Sequence, residues 1–95
     1  MNPSICAAIR NRAVIAFNYN GKPRIVEPHC HGLSVAGKEL IRGYQVGETP
    51  QDGQYWRLFD VARMSDLIVL PTHFPTPRPG FRADDQKMSE VHCHV

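Results

Sequence analysis

The chain has 95 residues, 42% of them hydrophobic and 21% charged, with a formal net charge of +2. That length fits one domain with a modest core, and the charge is too small for a protein that holds nucleic acid by bulk electrostatics alone. No apolar run approaches the ~18–20 residues that span a bilayer, the longest ("DLIVLP") being strand-sized.

The opening "MNPSICAAIRNR" lacks the apolar stretch of a signal peptide. Together with an odd count of three cysteines, this reads as a cytoplasmic protein with reduced thiols and no disulfide framework. The same stretch predicts a short helix. Asn2 is its cap, Pro3 suits its first turn, Ile5, Ala8 and Ile9 form an apolar stripe, and Arg10 and Arg12 lie at the end that favours cations.

Strands follow. Val14, Ile15, Phe17 and Tyr19 are strand formers, with Ile15, Phe17 and Tyr19 on one face. Asn20-Gly21 is a strong hairpin signal, because both turn positions need positive φ. On the return strand Arg24 and Val26 share one face, Ile25 and Glu27 the other, and Pro28 predicts a bulge or an edge. A turn at Ala36-Gly37 leads to a third strand over Glu39–Val46, with Leu40, Arg42, Tyr44 and Val46 pointing one way. "YWRLFDV" is a fourth strand, with Tyr55, Arg57 and Phe59 on one face; Ile68, Val69 and Leu70 favour a fifth. Pro71, Pro75, Pro77 and Pro79 make residues 71–80 extended and irregular, with Phe74 and Phe81 as apolar anchors. A helical turn near Asp84 and Asp85 and a last strand over 91–95 complete a single 95-residue domain. One short helix and five or six short strands point to a small bent β-barrel, whose closure hides strand edges.

"FNYNGKPRIVEPHCHGLSVAGKELIRGYQVG", followed by "YWRLFDVARMSDLIVL", resembles the WYL-type domain family over about residues 5–70. Tyr19 precedes a hairpin, and Arg24, Val26 and Pro28 form an R-x-V-x-P arrangement. Leu40 and Tyr44 share the next strand, and Arg57 and Phe59 lead to Arg63-Met64. The name triplet itself falls on Lys38, Glu39 and Leu40, so the likeness is to a divergent, small stand-alone member. The resemblance implies an Sm-like or SH3-like barrel with a leading helix. It also implies a regulatory sensor whose ligands are nucleotides or single-stranded nucleic acid.

Arginines among apolar strand residues give that reading chemical content. A guanidinium there needs a partner, and it binds phosphate or carboxylate bidentately. Arg24, Arg42, Arg57 and Arg63, with Tyr19 and Tyr44 for stacking, are the candidate ligand-binding residues. In the competing reading these arginines pair with Glu27, Glu39, Asp60 or Asp66, and the domain is a protein-interaction module.

The triplets "HCH" at 29–31 and 92–94 raise a third possibility, a zinc site built from His29, His31, His92 and His94 on two adjacent strands. Strand alternation puts His29 and His31 on one side and Cys30 on the other. The spacing matches none of the common zinc signatures, so the favoured reading is two strand ends with Cys30 and Cys93 in the core and no cofactor. Cys30 with His73 is a conceivable nucleophile and base, but nothing activates the thiol. Asp84 and Asp85 read as a turn, not a carboxylate dyad, and no glycine-rich phosphate loop is present. The expectation is a non-catalytic, ligand-sensing module.

Overall fold

The computed structural model describes residues 3–95, so the proposed cap Asn2 lies outside the described residues. Helix α1, Pro3–Arg10, buries Ile5, Cys6, Ala8 and Ile9 and ends with Arg10 in its last turn. A turn follows it, in which Arg12 takes a φ of 52°, outside helical space. No helix among the described residues is long and apolar enough to cross a membrane.

Six strands form one antiparallel sheet: β1 Ala13–Tyr19, β2 Lys22–Leu33, β3 Glu39–Val46, β4 Trp56–Asp60, β5 Met64–His73 and β6 Glu90–His94. Asn20 and Gly21 both take positive φ at the β1–β2 turn, 52° and 75°, as a two-residue hairpin requires. The sheet order is β4-β3-β2-β1-β5, and β6 pairs with β2 off this path. The sheet is not closed, and β4 and β5 are its ends. The expected closure fails because the last strand takes an edge of β2 instead of bridging β4 and β5. That edge of β2 is shared: Lys22–Val26 pair with β1, and Cys30–Leu33 with β6. β5 runs on through Pro71 to His73, further than the prolines predicted. As an edge strand it has no ladder bond for Pro71 to interrupt on its open side.

Two bulges set the side-chain directions. Pro28 pairs with Gly43 and Cys30 with Arg42, so His29 is an extra residue on β2. His31 pairs with Cys93 and Gly32 with Val91, so His92 is an extra residue on β6. β6 comes so close that a Cβ on Gly32 would stand 2.1 Å from the Glu90 carbonyl oxygen. Only glycine fits there without moving β6.

The core under α1 joins Ile5, Ile9, Ile15, Phe17, Tyr19, Val26, Ile41 and Phe59. Edge-to-face rings at 5.0 Å link Phe59 to Phe17 and to Tyr19. The opposite face carries Glu27, Cys30, Arg42, Tyr44, Trp56 and Leu58, and the Pro-rich segment crosses it as a strap. Phe74 and Met88 are buried along the strap, and Trp56 Nε1 donates to the Pro79 carbonyl at 3.1 Å. The expected helical turn near Asp85 is a tight turn instead, in which Asp85 accepts from the Lys87 and Met88 amides.

The cysteines depart from expectation. Cys6 on α1 and Cys93 on β6 are joined by a disulfide, and Cys30 is a buried free thiol. The odd count concealed a pair 87 positions apart, because only the fold brings α1 onto β6.

Candidate functional site

Strand parity decides which arginines meet. Gly43 pairs with Arg57 across β3 and β4, while Arg42 pairs with Leu58. Arg57 therefore shares a face with Phe59, Ile41 and Val26, and Arg42 lies on the strap face with Tyr44. Arg24, two residues before Val26, is on Arg57's face.

At the open end of that face lies a cleft of about 440 Å³, lined by Lys22, Arg24, Gln45, Glu48, Asp52 and Arg57 among others. Arg24 donates from one terminal nitrogen to Gln45 Oε1 at 3.0 Å. Arg57 donates from both terminal nitrogens to Asp52, each at 3.0 Å. In both arginines the Nε–H is buried and without a partner. A buried donor left unmade costs about 1–3 kcal/mol, and here two such donors belong to cations in one cleft.

Asp52 belongs to the exposed loop between β3 and β4, with half of its side chain in solvent. The backbone N–H of Gln54, with help from the Arg57 guanidinium, holds its carboxyl below the usual range. It thus stands as an ionised carboxylate in front of Arg57, on a segment that has no strand partner.

The chain matches no family model, no curated protein and no solved structure.

The remaining candidates lie elsewhere. Arg42 is clasped bidentately by Asp85 of the strap, at 2.7 and 3.2 Å, and this hydrogen bonding holds the Asp85 carboxyl low. Arg63 donates to Asn20 Oδ1, and its guanidinium lies 5.1 Å from the Tyr19 ring. Arg24 lies 5.9 Å from the same ring. Tyr19 itself is buried, and its hydroxyl accepts from the Asp60 amide at 3.1 Å. The Tyr44 ring stacks on Tyr55 at 5.4 Å and has the Arg78 guanidinium 4.6 Å away. The six candidates therefore do not share one site. Arg24 and Arg57 line one cleft, Tyr19 and Arg63 line another of about 360 Å³, and Arg42 and Tyr44 belong to neither. The carboxylates on Arg57 and Arg42 are Asp52 and Asp85, neither among the expected partners.

Sequence reasoning missed Lys22, Gln45 and Asp52. Lys22 was within reach, since it follows the Asn-Gly turn and stands two residues before Arg24 on the same face. It missed Arg78 too, which clasps buried Glu27 through two bonds at 2.7 and 3.0 Å and fastens the strap.

The two His-Cys-His triplets pair side by side, Cys30 opposite His94 and His31 opposite Cys93, yet their imidazoles do not gather. The first triplet is also mid-strand, not a strand end. The bulge at His29 breaks the alternation, so His29 turns to the strap and packs on Trp56, Phe74 and Phe81. Its Nδ1–H donates to the Glu27 carbonyl at 2.8 Å, and its Nε2 accepts from the Arg78 amide at 3.0 Å. His31 faces the core beside Cys6 and Cys93, with His92 5.5 Å away ring to ring, and His94 lies against Phe81.

Cys30 meets Met88 Sδ at 3.6 Å, and burial pushes its thiol up to about 11. His73 lies opposite Ala13 at the far end of β5. Cys30 and His73 therefore do not assemble as a nucleophile–base pair.

Proposed function

We propose that this domain is a non-catalytic, ligand-sensing module of the WYL-like kind that takes a phosphate-bearing ligand, such as a nucleotide or single-stranded nucleic acid, in the Arg24–Arg57 cleft. One observation carries the reading: two arginines that line the same cleft each keep a buried Nε–H without a partner. A phosphate offers acceptor oxygens enough to satisfy both and replaces Asp52 in front of Arg57. Lys22 at the rim adds a third cation. A cleft of about 440 Å³ lies within the ordinary range for small-ligand sites.

Two further features support the family reading. The path β5-β1-β2-β3-β4, with a 3-10 turn at Val61–Arg63 between β4 and β5, follows the strand order of an SH3-like or Sm-like meander. The basic pair Arg24 and Arg57 falls on the positions that carried the resemblance. A cytoplasmic setting, where nucleotides abound, fits this role with the Cys6–Cys93 bond reduced there.

Thermal melting with and without nucleoside mono- and triphosphates and a short single strand tests the reading. The wild type gains melting temperature with at least one of these. Arg57→Ala weakens binding roughly 10–100-fold, the loss of charge-assisted hydrogen bonds, while circular dichroism stays native. Arg57→Met, which keeps the length of the side chain, gives the same loss. A wild type that gains nothing from any phosphate-bearing probe overturns the proposal, as does an Arg57→Met protein that binds like wild type. The rival, an interaction module with only structural arginines, predicts the first of those outcomes.

A further inference from the structure

Cys6, His31 and Cys93 come from α1, β2 and β6 and are all buried, with their ligand atoms within 4.8 Å of one another. His31 Nδ1 lies 3.3 Å from Cys6 Sγ and 4.0 Å from Cys93 Sγ. Its other nitrogen, Nε2, lies 2.6 Å from Glu39 Oε2. The carboxylate accepts a hydrogen bond from Nε2–H, so in the neutral ring Nδ1 is a bare lone pair. Burial favours that neutral ring, holding His31 below the usual imidazole range against the pull of Glu39. The lone pair of a side chain with no exposed surface is thus aimed at two sulfurs that, joined to each other, have no hydrogen to give it. Among the contacts of the described residues, nothing else meets Nδ1.

We infer that, once the Cys6–Cys93 disulfide is reduced, Cys6, Cys93 and His31 form a binding site for a zinc-class divalent cation. Zinc bonds of about 2.3 Å to sulfur and 2.0 Å to nitrogen place tetrahedral S and N ligands roughly 3.5 Å apart. The two nitrogen-to-sulfur separations already bracket that value, so only the sulfurs have to part. Two thiolates and a neutral imidazole cancel the charge of a dication, which lets the site stay inside the core. Glu39 behind His31 completes the carboxylate–histidine–metal arrangement that fixes ring orientation and raises ligand basicity. Three protein ligands leave a fourth tetrahedral position open, and the His92 ring lies 5.5 Å from that of His31.

The step is balanced. A dithiol reductant gives two electrons and two protons, becomes a disulfide itself, and converts the Cys6–Cys93 bond into two thiols. On metal uptake both thiol protons pass to solvent. This set differs from the four-histidine site considered from sequence, since it takes one residue from each triplet and adds Cys6.

The test uses the whole chain, reduced with a phosphine, with cobalt(II) as the probe under anaerobic conditions. The reduced protein takes up one equivalent and shows thiolate-to-cobalt charge transfer with the visible bands of a four-coordinate ion, which zinc then displaces. The oxidised protein takes up none. Cys30→Ser leaves uptake unchanged, His31→Ala abolishes the four-coordinate bands, and Glu39→Gln weakens binding by about 10–100-fold. If His31→Ala does not fold, Glu39→Gln carries the test. A reduced wild type without cobalt bands overturns the inference, as does binding indifferent to the His31 and Glu39 substitutions. A reduced chain that unfolds and is not refolded by zinc also overturns it.

Discussion

The Arg57 guanidinium must place three kinds of N–H inside a cleft wall, and Asp52 takes only the outer two. Because the Asp52 side chain is half in solvent, its hold on Arg57 is screened and modest. The carboxylate therefore competes with an incoming phosphate without blocking it. Asp52→Asn removes the competitor and keeps the shape. It is expected to tighten phosphate binding about two- to fivefold, the scale of an exposed ion pair, read by calorimetry with the best nucleotide from the melting screen. Weaker binding in this variant means that Asp52 orients Arg57 for the ligand instead of standing in for it. Arg42 shows the opposite case: Asp85 grips it bidentately with little of its own side chain exposed, so its charge is already answered. The sequence put both arginines among apolar neighbours. Only the partner of each told them apart.

At the scale of elements, β2 does most of the organising. It pairs with three strands, and its bulge sends His29 to the strap and His31 to the core. Both imidazoles sit below their usual range, in each case chiefly through burial. The unfolded chain takes up protons near the ordinary histidine value of about 6.5, whereas the folded chain resists until lower pH. Stability is therefore complete above about pH 7 and falls as the pH drops through 6.5 toward 5. It levels off only below the folded-state values. Each histidine contributes a slope of at most about 1.4 kcal/mol per pH unit. Urea midpoints at pH 7.5 and 5.0 should show this loss, and His29→Gln should remove about half of it. A midpoint constant across that window would mean that neither ring is held neutral by the fold. The bulge itself was legible, because Pro28 interrupts a strand pattern. Its consequence for side-chain direction was not, since a bulge's position becomes definite only against the partner strand.

For the molecule as a whole, the disulfide ties the first helix to the last strand across 87 positions. A cross-link closing so long a loop restricts the unfolded chain strongly, a stabilisation of about 2–4 kcal/mol. Reduction in the presence of a chelator is expected to lower the melting temperature by roughly 10–25 °C for a domain of this size. Cys6→Ser should match the reduced protein, and a melting temperature indifferent to reduction would show that the ends of the chain are held by packing alone. The strap is the second whole-molecule device. Phe74, Arg78, Phe81, Asp85 and Met88 cover a sheet face that would otherwise leave Trp56, Leu58 and Cys30 open to water.

The sequence by itself determined the local structure: the helix stripe at Ile5, Ala8 and Ile9, the Asn20-Gly21 turn, the run of short strands, and the anchoring of Phe74. These follow from periodicity and backbone chemistry within a few residues of each position. It also marked Arg24 and Arg57, whose side chains lie two residues from apolar core positions on their own strands. The tertiary structure alone decided that the sheet stays open, that Cys6 meets Cys93, that Arg42 and Tyr44 face away from Arg57, and that the histidine triplets pair without gathering their rings. Each of these depends on register between strands far apart in the chain, where a shift of one residue reverses every side chain.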